Sequence, residues 1–128
     1  MNLAIKTEEK KQIIDITNAI NNELKKQDVK TGLCNLFIKH TTAAITTADL
    51  DPGTDQDYIK AFEEIVPKLN YNHPHNPAHM PDHILSTMIG TSLTLPISNG
   101  QLDLGTWQRV VIIELDGPRE RELVLTTI

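Results

Sequence analysis

A chain with one cysteine, five aromatic residues and no long apolar run is restricted before any motif is read. Cys34 stands alone among 128 residues, so an intrachain disulfide is excluded, and its neighbours Leu33 and Leu36 point to a buried thiol rather than a nucleophile. One Trp, two Tyr and two Phe leave the core to Ile, Leu and Val. A surplus of basic residues is also missing. The formal charge is −5, the wrong sign for a surface that neutralises phosphate backbones, and no DNA or RNA partner is expected. No apolar stretch reaches the eighteen or so residues of a membrane span, and Met1 to Lys11 lacks the apolar core of a signal peptide. The expectation is a cytoplasmic protein with no membrane partner. The Walker A sequence, the dinucleotide GxGxxG fingerprint and the GxSxG nucleophile elbow are absent too, which removes the usual sequence support for nucleotide-driven and hydrolase-triad mechanisms.

What is present reads as one domain over residues 1–128, without repeat, linker or low-complexity segment. A chain of this length buries roughly two-thirds of its unfolded surface. Leu3 to Lys6 and Gln12 to Ile16 flank a charged segment and suit two short strands joined by a solvated turn. Thr17 is placed to cap a helix with Ile20 and Leu24 on its buried face. Leu33 to Lys39 is apolar at nearly every position, the pattern of a strand covered on both faces, and Ala43 to Ala48 follows as another. Thr54 and Asp57 have capping-box spacing ahead of a helix with Tyr58, Phe62, Ile65 and Val66 as its stripe, which Pro67 stops. A third helix runs from about Pro81 to Ile89 and ends at Gly90. Leu93, Leu95 and Ile97 lead into an Asn99-Gly100 hairpin turn, with Leu102 and Leu104 returning; Val110 to Leu115 is a buried strand, and Leu123 to Ile128 closes the sheet. The fold class expected is α+β, a compact domain with antiparallel-rich sheets and about three helices.

Four of five histidines fall between residues 73 and 83. His79 and His83 are four apart at the start of the third helix, the spacing of a two-point metal clamp, although an exposed pair or a helix-end contact explains it as well. His40 ends an apolar strand, where a ring must be hydrogen-bonded or metallated; a satisfied core histidine is the alternative. Glu114, on an apolar strand, is either a metal ligand, a general base or the mate of Arg119 or Arg121, with the ion pair favoured. Asp82 either orients a ligating ring or complements the positive end of its helix. Asp49 and Asp51 read as turn residues before Pro52. Arg109, Arg119 and Arg121 suit phosphate or carboxylate, or else simple solvation. For Trp107 core packing is favoured over stacking on a substrate ring.

His40-Thr41-Thr42-Ala43-Ala44, His79-Met80-Pro81-Asp82-His83-Ile84, Leu104-Gly105-Thr106-Trp107-Gln108 and Glu114 with Asp116-Gly117-Pro118-Arg119 together resemble the YjbQ-like family, in order and over most of the chain. The resemblance implies a homotrimer with a metal-associated site near the subunit boundary. It also implies, for some members, thiamine-phosphate-synthase-type activity, in which a pyrimidine methyl diphosphate is coupled to a thiazole phosphate with release of pyrophosphate. His40, His83 and Glu114 match the family's positions, whereas His79 and the His73-Pro74-His75 loop depart from its pattern and put the substrate in doubt.

The site assembled from both readings has His40, His79 and His83 as metal ligands and Glu114, Asp82 and Arg119 as catalytic groups. Thr41, Thr42, Trp107, Gln108 and Arg109 are its substrate contacts. The metal is a divalent ion, zinc first, with magnesium, manganese, iron or nickel as alternatives. The ligand is a small phosphate or other anion. A metal-dependent hydrolase and a non-catalytic trimeric metal- or anion-binding protein are the alternatives to the transferase.

Overall fold

The alternation of aliphatic and polar residues builds two antiparallel sheets, which a computed structural model describes over residues 1–128. Strands β1 (Asn2–Lys6), β8 (Glu120–Thr127), β3 (Gly32–Ile38), β5 (Ser92–Ser98) and β6 (Gln101–Leu102) form a five-stranded sheet in the order β1-β8-β3-β5-β6. Strands β2 (Gln12–Asp15), β7 (Arg109–Glu114) and β4 (Ala43–Ala48) form a three-stranded sheet in the order β2-β7-β4. Three helices complete the chain, α1 (Thr17–Lys26), α2 (Thr54–Ile65) and α3 (Met80–Ile89), the last preceded by a 3₁₀ turn at Pro77–His79. No helix is long and apolar enough to cross a membrane.

The main core lies between the sheets, where Leu36 and Ile38 of β3 and Leu123 and Leu125 of β8 meet Ile45 of β4 and Val110 and Ile112 of β7, with Ile20 and Leu24 of α1 closing one side. Successive residues of a strand face opposite ways, so Val111 and Ile113 of β7 enter a second core with Leu85 of α3 and Val66 just after α2. The unbroken apolar run of β7 has this cause: both of its faces are covered. The run in β3 does not. Leu36 and Ile38 are buried, but Leu33 and Phe37 remain 45% and 41% exposed on the outer face of the five-stranded sheet, contrary to the two-faced burial expected of this strand.

Several local expectations are revised. β1 and β2 do not pair with each other; β1 joins β8 and β2 joins β7, so the segment between them crosses from one sheet to the other. The Thr17 hydroxyl does not cap α1 but accepts the Val110 N–H at 2.8 Å, and the Asp15 carboxylate accepts the Thr17 N–H instead. Thr54 likewise turns back, donating to the Asp51 carbonyl at 2.7 Å, and Gly53 occupies the cap position of α2 with φ at 91°. The Asn99-Gly100 turn forms with φ of 54° and 81°, but the returning strand ends at Leu102 and leaves Leu104 outside the ladder.

Candidate functional site

β3 and β4 are joined by His40, Thr41 and Thr42, and this connection lies beside the N-terminal turn of α3 and the turn after β7. The three segments enclose a polar cleft of about 380 Å³. His40, Thr41 and Thr42 line it from the first segment, with Lys39 beside them; His79 and His83 line it from the second, and Asp116, Arg119 and Arg121 from the third and from β8. None of its lining side chains is apolar.

Beneath the cleft lies a buried ion pair. Arg121, 2% exposed, donates through Nε and Nη2 to the carboxylate of Glu114, which is wholly buried, and also to the carbonyl and hydroxyl of Thr42. The Thr7 hydroxyl donates to Glu114 Oε1 at 2.7 Å, and the Asp116 N–H donates to Oε2 at 3.2 Å. Burial alone would push the Glu114 carboxyl up, but the hydrogen bonds from Arg121, Thr7 and the Asp116 N–H outweigh it and hold the group below the ordinary carboxylate range. A carboxylate so fully engaged is a poor general base. Glu114 is the ion-pair mate of Arg121, the pairing favoured from the sequence.

Asp116, singled out in the sequence only as part of the Asp116-Gly117-Pro118-Arg119 segment, forms one wall. Burial raises its carboxyl, but hydrogen bonds from Lys10 and Arg119 dominate and hold it at about 2. Arg119 grips that turn with Nε on the Asp116 carbonyl at 2.8 Å and Nη2 on the carboxylate at 2.9 Å, while half of its side chain stays open to solvent. His79 Nε2 stands 3.9 Å from the same carboxylate. Lys10 and Lys11, expected in a solvated turn, reach the carboxylates of Asp116 and Asp82. Only tertiary folding brings these pairs together, so no local signal marks them.

The histidines differ in what their nitrogens do. His83 Nδ1 lies 2.9 Å from the Thr41 carbonyl, which accepts only if Nδ1 carries the proton; the Nε2 lone pair is then free. His40 is the reverse. Its Nε2 accepts the Glu122 N–H at 2.9 Å, so the proton sits on Nδ1 and the ring is a donor toward any ligand. Burial first, then the charge of Arg121, lowers the His40 pKa and keeps it neutral against the opposing pull of Glu114 and Glu122. A metal ligand whose outer nitrogen is tied to a backbone carbonyl is a common arrangement, and His83 matches it. His40 does not, because its lone pair is engaged. No three His, Cys, Asp or Glu side chains converge as they stand on one ion position.

Two groups of expected site residues fall outside the cleft. Asp82 follows the other face of α3, 6% exposed and bound to Lys11 at 2.8 Å, toward a second cleft shared with Phe62 and Val66. Arg109 opens β7, five residues from Glu114 and so about 17 Å along the strand, and Trp107 and Gln108 lie in the turn just before it. Trp107 is 72% exposed rather than packed in the core. Gln108 closes its own turn by accepting the Gly105 N–H at 2.8 Å, and Arg109 pairs with Asp15 at 2.7 Å.

Fold and cleft together define an α+β two-sheet domain with a polar pocket at the ends of its central strands. The family model described as UPF0047 protein YjbQ-like matches residues 1–128, and the chain belongs to this family. UPF0047 protein MJ1081 of Methanocaldococcus jannaschii is 37% identical over 125 residues, covering 97% of this chain and 90% of that one. The Bacillus subtilis protein YugU is 34% identical over 120 residues, 93% and 91% of the two chains. Among solved structures, a YjbQ/UPF0047 family protein from Clostridium acetobutylicum superposes with a TM-score of 0.89 at 35% identity, covering 100% of this chain and 99% of its own. The hypothetical protein APE1520 of Aeropyrum pernix K1 gives 0.92 at 32% identity, with 100% and 96% covered.

Proposed function

We propose that the cleft is the site of a small-molecule enzyme whose substrate carries phosphate or another compact anion, assisted by a divalent ion, zinc first, at His79 and His83. The observation that carries this reading is the lining itself, in which the cations Lys39, Arg119 and Arg121 and three histidines outnumber the single carboxylate of Asp116, with no apolar side chain. Arg119 steadies an anion through Nη1, since Asp116 engages only Nε and Nη2 and half of the side chain is exposed. His40 adds a neutral N–H, and Thr41 and Thr42 place backbone and hydroxyl groups beside it. Arg121 and Glu114 fix Thr42 from below. When bound, the ion supplies charge stabilisation at a phosphate oxygen or lowers the pKa of a water.

Imidazole donors favour zinc over magnesium, and this favours hydrolysis over the thiamine-phosphate-synthase-type coupling, whose diphosphate chemistry ordinarily uses oxygen-bound magnesium. Both act on the same anionic ligand class. The test is calorimetric titration of the zinc-loaded protein with pyrophosphate, followed by a turnover assay on phosphate esters and on the pyrimidine diphosphate and thiazole phosphate pair. Binding that weakens about tenfold in Arg119→Gln, with turnover lost in His83→Gln, is the expected result. Binding without any turnover favours the non-catalytic anion-binding protein. Failure of the wild-type chain to bind contradicts the reading.

A homotrimer is part of the same proposal. It is supported by the open face carrying Leu33 and Phe37, and by the exposed Trp107 turn, which lies too far from its own cleft to serve it and so would serve that of a neighbouring copy.

A further inference from the structure

The segment between α2 and the 3₁₀ turn carries a histidine back against two of the three in the cleft. The His73 ring lies 4.9 Å from that of His83, centroid to centroid, at an interplanar angle of 25°, and 6.5 Å from that of His79 at 64°. Its Nδ1 is buried and has no hydrogen-bond partner. A ring nitrogen withdrawn from water with nothing to bind is unfavourable, and native structures rarely keep one without a reason.

Two imidazoles that share one tetrahedral ion, each nitrogen at about 2.0–2.1 Å, have centroids about 5 Å apart. The His73–His83 separation is of this size, but the two rings are stacked nearly parallel and must turn before both lone pairs meet one ion; the His73–His79 separation is longer. Outer partners are also at hand. The Thr41 carbonyl holds His83 through Nδ1 and leaves Nε2 for an ion, and the Asp116 carboxylate stands 3.9 Å from His79 Nε2, close enough to become its outer partner when that ring turns. His40 has no such nitrogen, because the Glu122 N–H occupies its lone pair.

We infer that His73, His79 and His83 together hold one divalent transition ion, with the loop residue His73 taking the place that the family resemblance gives to His40. This deepens the reading of the cleft as an ion-assisted site and rests on it. The three rings do not converge on one point as they stand, so binding includes a turn of the His73 and His79 side chains. Three imidazoles suit zinc, cobalt(II) or nickel, and leave a fourth position to water or an anion.

The test uses the full chain purified without an affinity tag and stripped with a chelator, then titrated with zinc in competition with a chromophoric chelator and with cobalt(II) by visible absorption. His73→Gln and His83→Gln are each expected to weaken zinc binding on the order of 100-fold and to change the cobalt spectrum, while His40→Gln and the loop control His75→Gln stay within about threefold of wild type. Thermal midpoints in chelator, equal to wild type, show that the variants fold. If His73→Gln binds zinc as tightly as wild type with an unchanged cobalt spectrum while His83→Gln does not, the inference is overturned and the ion-assisted site stands. If the wild-type chain binds neither ion, both are overturned.

Discussion

Arg121 is a cation almost without access to water, and Glu114 makes its position tolerable by accepting from both Nε and Nη2. Removing one partner leaves an uncompensated buried charge, which costs about 3–5 kcal/mol. Arg121→Met is expected to lower Tm by on the order of 10–20 °C, whereas the double variant Arg121→Met with Glu114→Gln recovers part of that loss; thermal denaturation of the three chains checks it. The pH dependence has a definite sign. Asp116 at about 2 and Glu114, also lowered, bind protons less readily folded than unfolded, so their contribution is complete above the unfolded values of 3.8 and 4.5. It is lost as pH falls from there toward 2. Urea unfolding between pH 6 and 2.5 is expected to show a plateau and then a decline beginning near pH 4.5, and a shallower decline in Asp116→Asn. At this scale the sequence showed where polar groups sit in apolar surroundings, hence Glu114 and His40. It narrowed the partner of Glu114 to Arg119 or Arg121, of which Arg121 is the one, but gave no partner for His40. Lys10 with Asp116 and Lys11 with Asp82 are far apart along the chain, and no periodicity encodes such pairs.

Among the elements, β7 was readable throughout because an unbroken apolar run has few explanations once both faces are covered. β3 misled for a related reason. Its run is just as apolar, but a single chain covers only one face of it, and sequence does not say whether the other is covered by the same chain. β1 and β2 were placed correctly and paired wrongly, since short strands joined by a polar segment normally make a hairpin. Here the segment docks instead on the Asp116-Gly117 turn, where the Gly117 N–H donates to the Lys10 carbonyl at 2.9 Å. A Cβ on Gly117 would stand 2.2 Å from the Glu9 carbonyl oxygen and 2.9 Å from both Glu114 and Thr7 side-chain atoms. Backbone cannot yield as a flexible side chain can. Gly117→Ala is expected to cost about 2–3 kcal/mol and to weaken anion binding in the cleft, read by denaturation and by pyrophosphate titration.

For the whole molecule, the outer face of the five-stranded sheet and the Trp107 turn are among the apolar surfaces that a lone chain leaves exposed. In the trimer proposed above, sedimentation equilibrium gives a mass near three times the 14.3 kDa of the chain, and Phe37→Asp shifts it toward one while leaving the helix and strand content of the circular dichroism spectrum intact. The most direct measurement concerns the cleft itself: elemental analysis of tag-free protein beside its His83→Ala variant. About one zinc-class ion per chain, lost in the variant, is the predicted result. Metal far below stoichiometry in wild type even after incubation with zinc, or full occupancy retained by His83→Ala, would contradict the assignment of an ion to these histidines.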